Sequence, residues 1–220
     1  MGVESGVLRK GMKSATSLAV GAGPAYMDSD RSAMLVSRCA IGEEGIMETA
    51  ALIKAIKDVA YLEGDFLLRS GRRSKYYLDK YLFETQPAIL AELGARLAGK
   101  CTARTTRIAG AELGAVSLAA ATSLASGKPF VIVRNARKDY GTSKPIEGIL
   151  KQGDVVLVVE DVVTSGGQLI EAVRSLRQAG AEVERVVAVI DRQEGAREAI
   201  EAEGLAFEAL LTKSDLGIGS

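Results

Sequence analysis

The residues best placed to do chemistry lie between Val155 and Gly167, in the stretch VVLVVEDVVTSGG. An aliphatic run leads into two adjacent carboxylates, Glu160 and Asp161. Val162 and Val163 follow, then Thr164, Ser165, Gly166 and Gly167. The run reads as a buried strand over Asp154 to Glu160, and the glycines mark a tight turn into a helix. Paired carboxylates accept hydrogen bonds from paired hydroxyls, such as those of a ribose, or lend oxygens to Mg2+. A glycine turn that opens a helix lets backbone N–H groups close on a phosphate. The stretch therefore describes a place for a ribose 5-phosphate. The plainer account is a charged strand end and a helix capped by Thr164 or Ser165, but it does not explain why run, acidic pair and glycine turn coincide.

Composition narrows the chemistry. The 220 residues are 47% hydrophobic and 25% charged, ordinary for a globular protein with one sizeable core. Lys plus Arg and Asp plus Glu are 28 each, so no overall basic field points to nucleic acid. The 2 cysteines, Cys39 and Cys101, are too few for a disulfide framework and fit a reducing cytoplasm. No run approaches the ~20 apolar residues of a membrane span. Histidine is absent, which removes the commonest general base and metal ligand. Chemistry must rest on carboxylates, amines, hydroxyls, backbone dipoles or a carboxylate-held metal.

These residues need a scaffold, and the pattern supplies one from Met47 onward. Glu48 to Tyr61 reads as a helix with an apolar face. Phe66 to Leu68 and Tyr76 to Tyr81 read as short strands around a Gly-Arg-Arg turn, and Pro87 opens a helix running to about Ala98. An alternation follows: strands at Arg107–Ala111, Phe130–Arg134, Asp154–Glu160, Val183–Ile190 and Ala206–Leu211, with helices at Gly114–Ser126, Gly166–Ala179 and Gly195–Glu203. A polar loop runs from Arg134 to Glu147. Strands alternating with helices predict an α/β fold, a mostly parallel twisted sheet with helices on both faces. Ligands in such sheets bind beyond the carboxyl ends of the strands.

The stretch from Val155 to Gly167 resembles the signature of the type I phosphoribosyltransferases. The resemblance implies that Glu160 and Asp161 meet the ribose hydroxyls of phosphoribosyl pyrophosphate (PRPP). It implies that Thr164, Ser165, Gly166 and Gly167 hold its 5-phosphate, with Val162 and Val163 also bordering PRPP. The loop GAELGA, Gly110 to Ala115, stands where the family has its pyrophosphate loop. It lacks the Lys often found there, so only the Ala111 and Glu112 backbone is carried over.

Three further stretches resemble the orotate phosphoribosyltransferases within that family. In FLLRSGRRSKYYLDKYLFET, Phe66 to Thr85, a basic residue, Ser-Gly, a basic pair and an aromatic pair match the segment that lines the base pocket. Orotate is a planar ring bearing a carboxylate, so Arg69 would pair with the carboxylate and Tyr76 or Tyr77 would pack on the ring. In RNARKDYGTSKPIEG, Arg134 to Gly148, the resemblance is to a catalytic loop that closes over the site and is supplied across a dimer interface. Arg134, Arg137, Lys138 and Tyr140 would then reach the pyrophosphate. Asn135 stands where a Lys is usual, and Tyr140 where a His is usual. In DRQEGA, Asp191 to Ala196, the family's Arg binds the base carboxylate, which carries over to Arg192. Thr164 would also touch the base.

The family resemblance implies transfer of the phosphoribosyl group from PRPP to orotate in pyrimidine synthesis. The catalytic groups would be Lys138, Arg134, Arg137 and Asp161. Mg2+ would arrive with PRPP near Glu160 and Asp161, with no protein cage. The assembly would be a homodimer in the cytoplasm, without nucleic acid or membrane. Another base as acceptor is the enzymatic alternative, and a PRPP-binding regulator without turnover is the other. The domain expected is 47–220, with a hood over about 47–85 and a core over about 86–212. Residues 1–46 show no sustained period and read as a disordered or upstream extension. Gly42-Glu43-Glu44-Gly45 can be encoded by a purine-rich ribosome-binding sequence, which would make Met47 the natural initiator.

Overall fold

The computed structural model describes residues 47–67, 71, 73–135 and 145–218. The expected extension over 1–46 lies outside them. A helix, α1 (Thr49–Ala60), leads into a hairpin of β1 (Tyr61–Leu67) and β2 (Arg73–Leu78). Two helices follow, α2 (Lys80–Glu84) and α3 (Pro87–Ala98). The alternating part is β3 (Arg107–Ala111), α4 (Ala115–Ser126), β4 (Phe130–Val133), β5 (Ile146–Glu147), β6 (Val155–Val163), α5 (Gly167–Gln178), β7 (Glu182–Asp191), α6 (Ala196–Ala202) and β8 (Ala206–Thr212).

The large sheet has six strands in the order β5-β4-β3-β6-β7-β8. It is parallel except at its edge, where β5 runs antiparallel to β4. Strand β3 is buried along its whole length, which is why Arg107–Ala111 shows no alternation. Along β6, Val156 and Val158 pack with Val173 and Leu176 of α5 and Ile200 of α6. Leu157 and Val159 pack on the other side with Leu52 and Ile56 of α1, Leu93 and Leu97 of α3, and Leu118 of α4. The period of two thus splits one strand between two cores.

Four sequence expectations are corrected by this packing. Helix α1 is not part of a separate hood: Leu52, Ile56 and Ala60 are fully buried against the main sheet's core. The hood is the β1–β2 hairpin alone. The core does not stop near 212, since Leu216 and Ile218 are buried in the same cluster. The second strand of the hairpin ends at Leu78 rather than Tyr81, because the Asp79 carboxylate accepts a hydrogen bond from Tyr81 N at 3.1 Å and starts α2. The polar loop after β4 is interrupted by β5, whose two residues pair with Ile132 and Val133.

Candidate active site

The strand order reverses between β3 and β6. From β3 the chain moves outward to β4 and β5, and from β6 it moves the other way to β7 and β8. A crevice beyond the carboxyl ends at such a point is where open α/β sheets take ligands. Glu160 and Asp161 sit there, but not past the strand end. Strand β6 continues to Val163, which pairs with Asp191 of β7. The acidic pair is therefore held by the ladder itself.

Asp161 is buried, and its Oδ2 lies 2.5 Å from Nζ of Lys80 in α2. Val162 N donates to its Oδ1. Asp161 N donates in turn to Glu160 Oε1 at 3.2 Å. Gly114, just before α4, makes room for this pair. A Cβ at that position would overlap the Asp161 carboxylate and lie 2.8 Å from Lys80 Nζ. Glu84, from the end of α2, is only 3% exposed. Ser117 Oγ of α4 donates to its Oε2 at 3.3 Å, while its Oε1 has no partner among the described residues.

Three carboxyl groups and one ammonium thus share a small buried volume. Burial pulls the Lys80 ammonium down, but the charge of Asp161 and the contact with it hold the ammonium above its ordinary value. Burial and then the charge of Asp161 push Glu84 up to about 8. The same two causes raise Glu160 well above the usual carboxylate range. Neither Lys80 nor Glu84 was marked by sequence reasoning. The stretch from Tyr76 to Tyr81 reads as strand, and nothing local reveals a partner as distant in the chain as Asp161.

The turn after β6 has the form a phosphate needs. Gly166 has φ 78° and accepts from Ile170 N at 2.9 Å, the first bond of α5. It is the N-cap, so Thr164 and Ser165 do not cap the helix as the plainer account would have it, and no side chain caps it. Thr164 and Ser165 are exposed, and neither hydroxyl has a partner among the described residues. At Gly167 an added Cβ would meet nothing within 4 Å. Neither its backbone torsion nor packing asks for glycine there, which leaves close approach of a ligand as a reason for it.

At the end of β3, Glu112 N donates to Val133 O at 2.9 Å. Asn135 grips the same residue, its backbone N on Glu112 Oε1 at 2.9 Å and its Nδ2 on Glu112 O at 2.5 Å. The Arg134 guanidinium lies 3.6 Å from Glu112 and 3.8 Å from Glu147, and Arg134 N donates to Pro145 O at 2.8 Å. The Arg134–Gly148 segment therefore starts as a β4–β5 neck clamped to the loop after β3. Arg137, Lys138 and Tyr140 lie outside the described residues, as does Arg69.

The structure brings the aromatic pair and the arginine after β7 together. Tyr76, Tyr77 and Arg192 line one pocket with Leu78, Lys213 and Leu216. Tyr76 also stacks on Tyr61, with ring centroids 5.9 Å apart, and Tyr77 tilts against Phe66 at 5.6 Å. Arg192 pairs with Glu194 at 2.9 Å, so the surface pairing and the pocket position both hold. Arg192 N donates to Val163 O at 3.0 Å, which joins this pocket to the end of β6.

Residues 83–203 match the phosphoribosyl transferase domain family. An orotate phosphoribosyltransferase of Methanocella arvoryzae is 48% identical over 166 residues, covering 75% of this chain and 95% of that protein. The chain belongs to the orotate phosphoribosyltransferase family. Among solved structures, the Mycobacterium tuberculosis orotate phosphoribosyltransferase in complex with PRPP is 34% identical. It superposes with a TM-score of 0.65 over 77% of this chain and 99% of that one. The Aeropyrum pernix orotate phosphoribosyltransferase is 32% identical, with a TM-score of 0.66 over 79% of this chain and all of its own. The family resemblance in the signature stretch and the predicted mostly parallel sheet are both borne out.

Proposed function

We propose that this chain transfers the 5-phosphoribosyl group from PRPP to orotate, giving orotidine 5′-monophosphate and pyrophosphate in pyrimidine synthesis. The observation that carries the reading is the acidic pair and glycine turn at the strand-order reversal, beside an aromatic pocket with two cations.

Glu160 and Asp161 take the ribose hydroxyls, and the Thr164–Gly167 turn takes the 5-phosphate on its free N–H groups and hydroxyls. Tyr76, Tyr77, Thr164, Arg69 and Arg192 hold the base. The bond from C1′ to the pyrophosphate oxygen breaks with its electrons leaving on oxygen, and orotate N1 bonds to C1′ after giving its proton to solvent. That asks little of a strong base and much of cations beside the leaving group. Lys138 and Arg137 supply them when the loop closes. Arg134, already held by Glu112 and Glu147, fixes the neck from which the loop swings. The Ala111–Glu112 backbone borders the pyrophosphate. Closure also excludes water from the cation-like sugar.

The oxygen donors at the acidic pair suit Mg2+, a hard cation that keeps its own waters and arrives on substrate phosphates. Lys80 already occupies Asp161 Oδ2, which leaves Glu160 as the residue to border such an ion. Bound there, the ion would neutralise charge on the leaving pyrophosphate. The reading carries a homodimer in the cytoplasm, with the 134–148 loop shared across the interface. No helix of the described residues is long and apolar enough to cross a membrane.

The test is orotate consumption followed by absorbance with PRPP and Mg2+. Turnover of orotate, with none of uracil or a purine, is expected. Turnover of those bases without orotate would overturn the acceptor. PRPP binding without pyrophosphate release would overturn the enzyme in favour of a regulator.

A further inference from the structure

The base pocket contains a cation that the acceptor motifs do not mark. Lys213, just after β8, lines it together with Arg192. The two differ in what already neutralises them. Arg192 has the Glu194 carboxylate at 2.9 Å. Lys213 is half-buried, and its ammonium has no hydrogen-bond or ion-pair partner among the described residues. The remaining walls, Tyr76, Tyr77, Leu216 and Ile218, bring no carboxylate. An ammonium with no counter-ion beside this pocket is open to a ligand anion, which would form a charge-assisted contact with it.

The position of Lys213 is built rather than incidental. Lys213 N donates to Asp191 O at 2.8 Å, which fixes its backbone to the end of β7 beside Arg192. The next residue ties the same two loops again, with Ser214 Oγ donating to Gln193 Oε1 at 2.6 Å. Gln193 is held by its own N–H on Asp191 Oδ1 at 2.7 Å, at a positive φ of 57°. Asp215 closes the turn on the other side, taking Thr212 N at 2.8 Å and Thr212 Oγ1 at 2.7 Å. The loops carrying Arg192 and Lys213 are therefore one cross-tied unit that holds both residues along the same pocket.

We propose that Lys213 is a further cationic contact for the carboxylate of the acceptor base, acting with Arg192 to select a carboxylated pyrimidine over a neutral one. Arg192 offers a planar fork already half-used by Glu194, while Lys213 brings a full uncompensated charge. Together they bracket one carboxylate, which a ring without that group cannot exploit.

The proposal rests on orotate as acceptor, which wild-type turnover tests by itself. A wild type that uses uracil and not orotate fails at that step, whatever Lys213 does. The direct test measures binding of orotate, of its carboxamide analogue and of PRPP to the wild type and to Lys213→Met. Lys213→Met should weaken orotate by roughly ten- to a hundredfold, the span of a lost charge-assisted bond. The carboxamide and PRPP should bind as before, and Lys213→Arg should recover most of the orotate affinity. Equal losses for orotate and the carboxamide would make Lys213 a packing residue and overturn the proposal. So would unchanged orotate binding. Lys213→Gln gives the same comparison should the methionine variant not fold.

Discussion

Replacing Glu84 by Gln should make the protein more stable at alkaline pH and change little near pH 5. Glu84 is 3% exposed, one of its oxygens has no partner among the described residues, and its neighbours in the cluster are Ser117, Lys80 and Asp161. Burial, and then the charge of Asp161, raise it from 4.5 to about 8. The folded state therefore keeps a proton on Glu84 over a range in which the unfolded chain has lost it. Stability is greatest below about 4.5, falls as pH rises toward about 8, and levels off above that. Each pKa unit is worth about 1.4 kcal/mol, so the full interval corresponds to roughly 5 kcal/mol. That compares with a typical total stability of about 5–15 kcal/mol.

Gln keeps an oxygen for Ser117 and cannot ionise. Urea unfolding of wild type and Glu84→Gln at pH 5 and pH 9 isolates the effect, because other titrations are common to both proteins. Glu160 is raised by the same burial and the same neighbour, and that contribution is common to both proteins. The variant should gain about 2–5 kcal/mol on the wild type between the two pH values. A difference that stays constant with pH would refute the reasoning. So would a variant that is less stable at pH 9, since Glu84 would then be contributing as a charged partner of Lys80.

Three more outcomes are expected. Gly114→Ala should lose about 1–3 kcal/mol of stability, as crowding in a packed site does, and should weaken PRPP more than orotate; equal binding of both ligands to variant and wild type would remove the Lys80–Asp161 pair from the site. Lys138→Ala should lower kcat at nearly unchanged KM, and mixing it with Asp161→Ala chains should restore part of the activity if the loop crosses a dimer; a mixture as inactive as its parts places the loop on its own chain. Deleting residues 1–46 should leave activity and Tm nearly unchanged, because Met47 is already anchored by its N on Glu92 Oε2 at 3.1 Å and by Arg96 on its carbonyl; a fall of several degrees in Tm would make the segment part of the fold.

What the sequence shows of this site divides by how far apart the partners are. The turn after β6 is legible because its parts are contiguous: strand, acids and glycines all announce themselves within one stretch. The pocket is legible in part, since Tyr76 and Arg192 lie within contiguous motifs. The partners of the acidic pair in the buried cluster are not legible. Lys80 sits in the segment read as strand and Glu84 just past it, and only the Asp79 cap starts a short helix that carries both. Lys213 is hidden for a similar reason, since the role proposed for it depends on the lack of a counter-ion among the described residues, which is a property of the fold. The departure at Asn135 shows the same limit. Against the family pattern it reads as the loss of a charge, yet its amide and backbone N–H both hold Glu112. A Lys there could not reproduce the side-chain contact to the Glu112 carbonyl while also reaching a pyrophosphate. In this chain, then, position 135 fastens the start of the loop to Glu112, and on the proposed reading the charge that acts on the leaving group comes from beyond it.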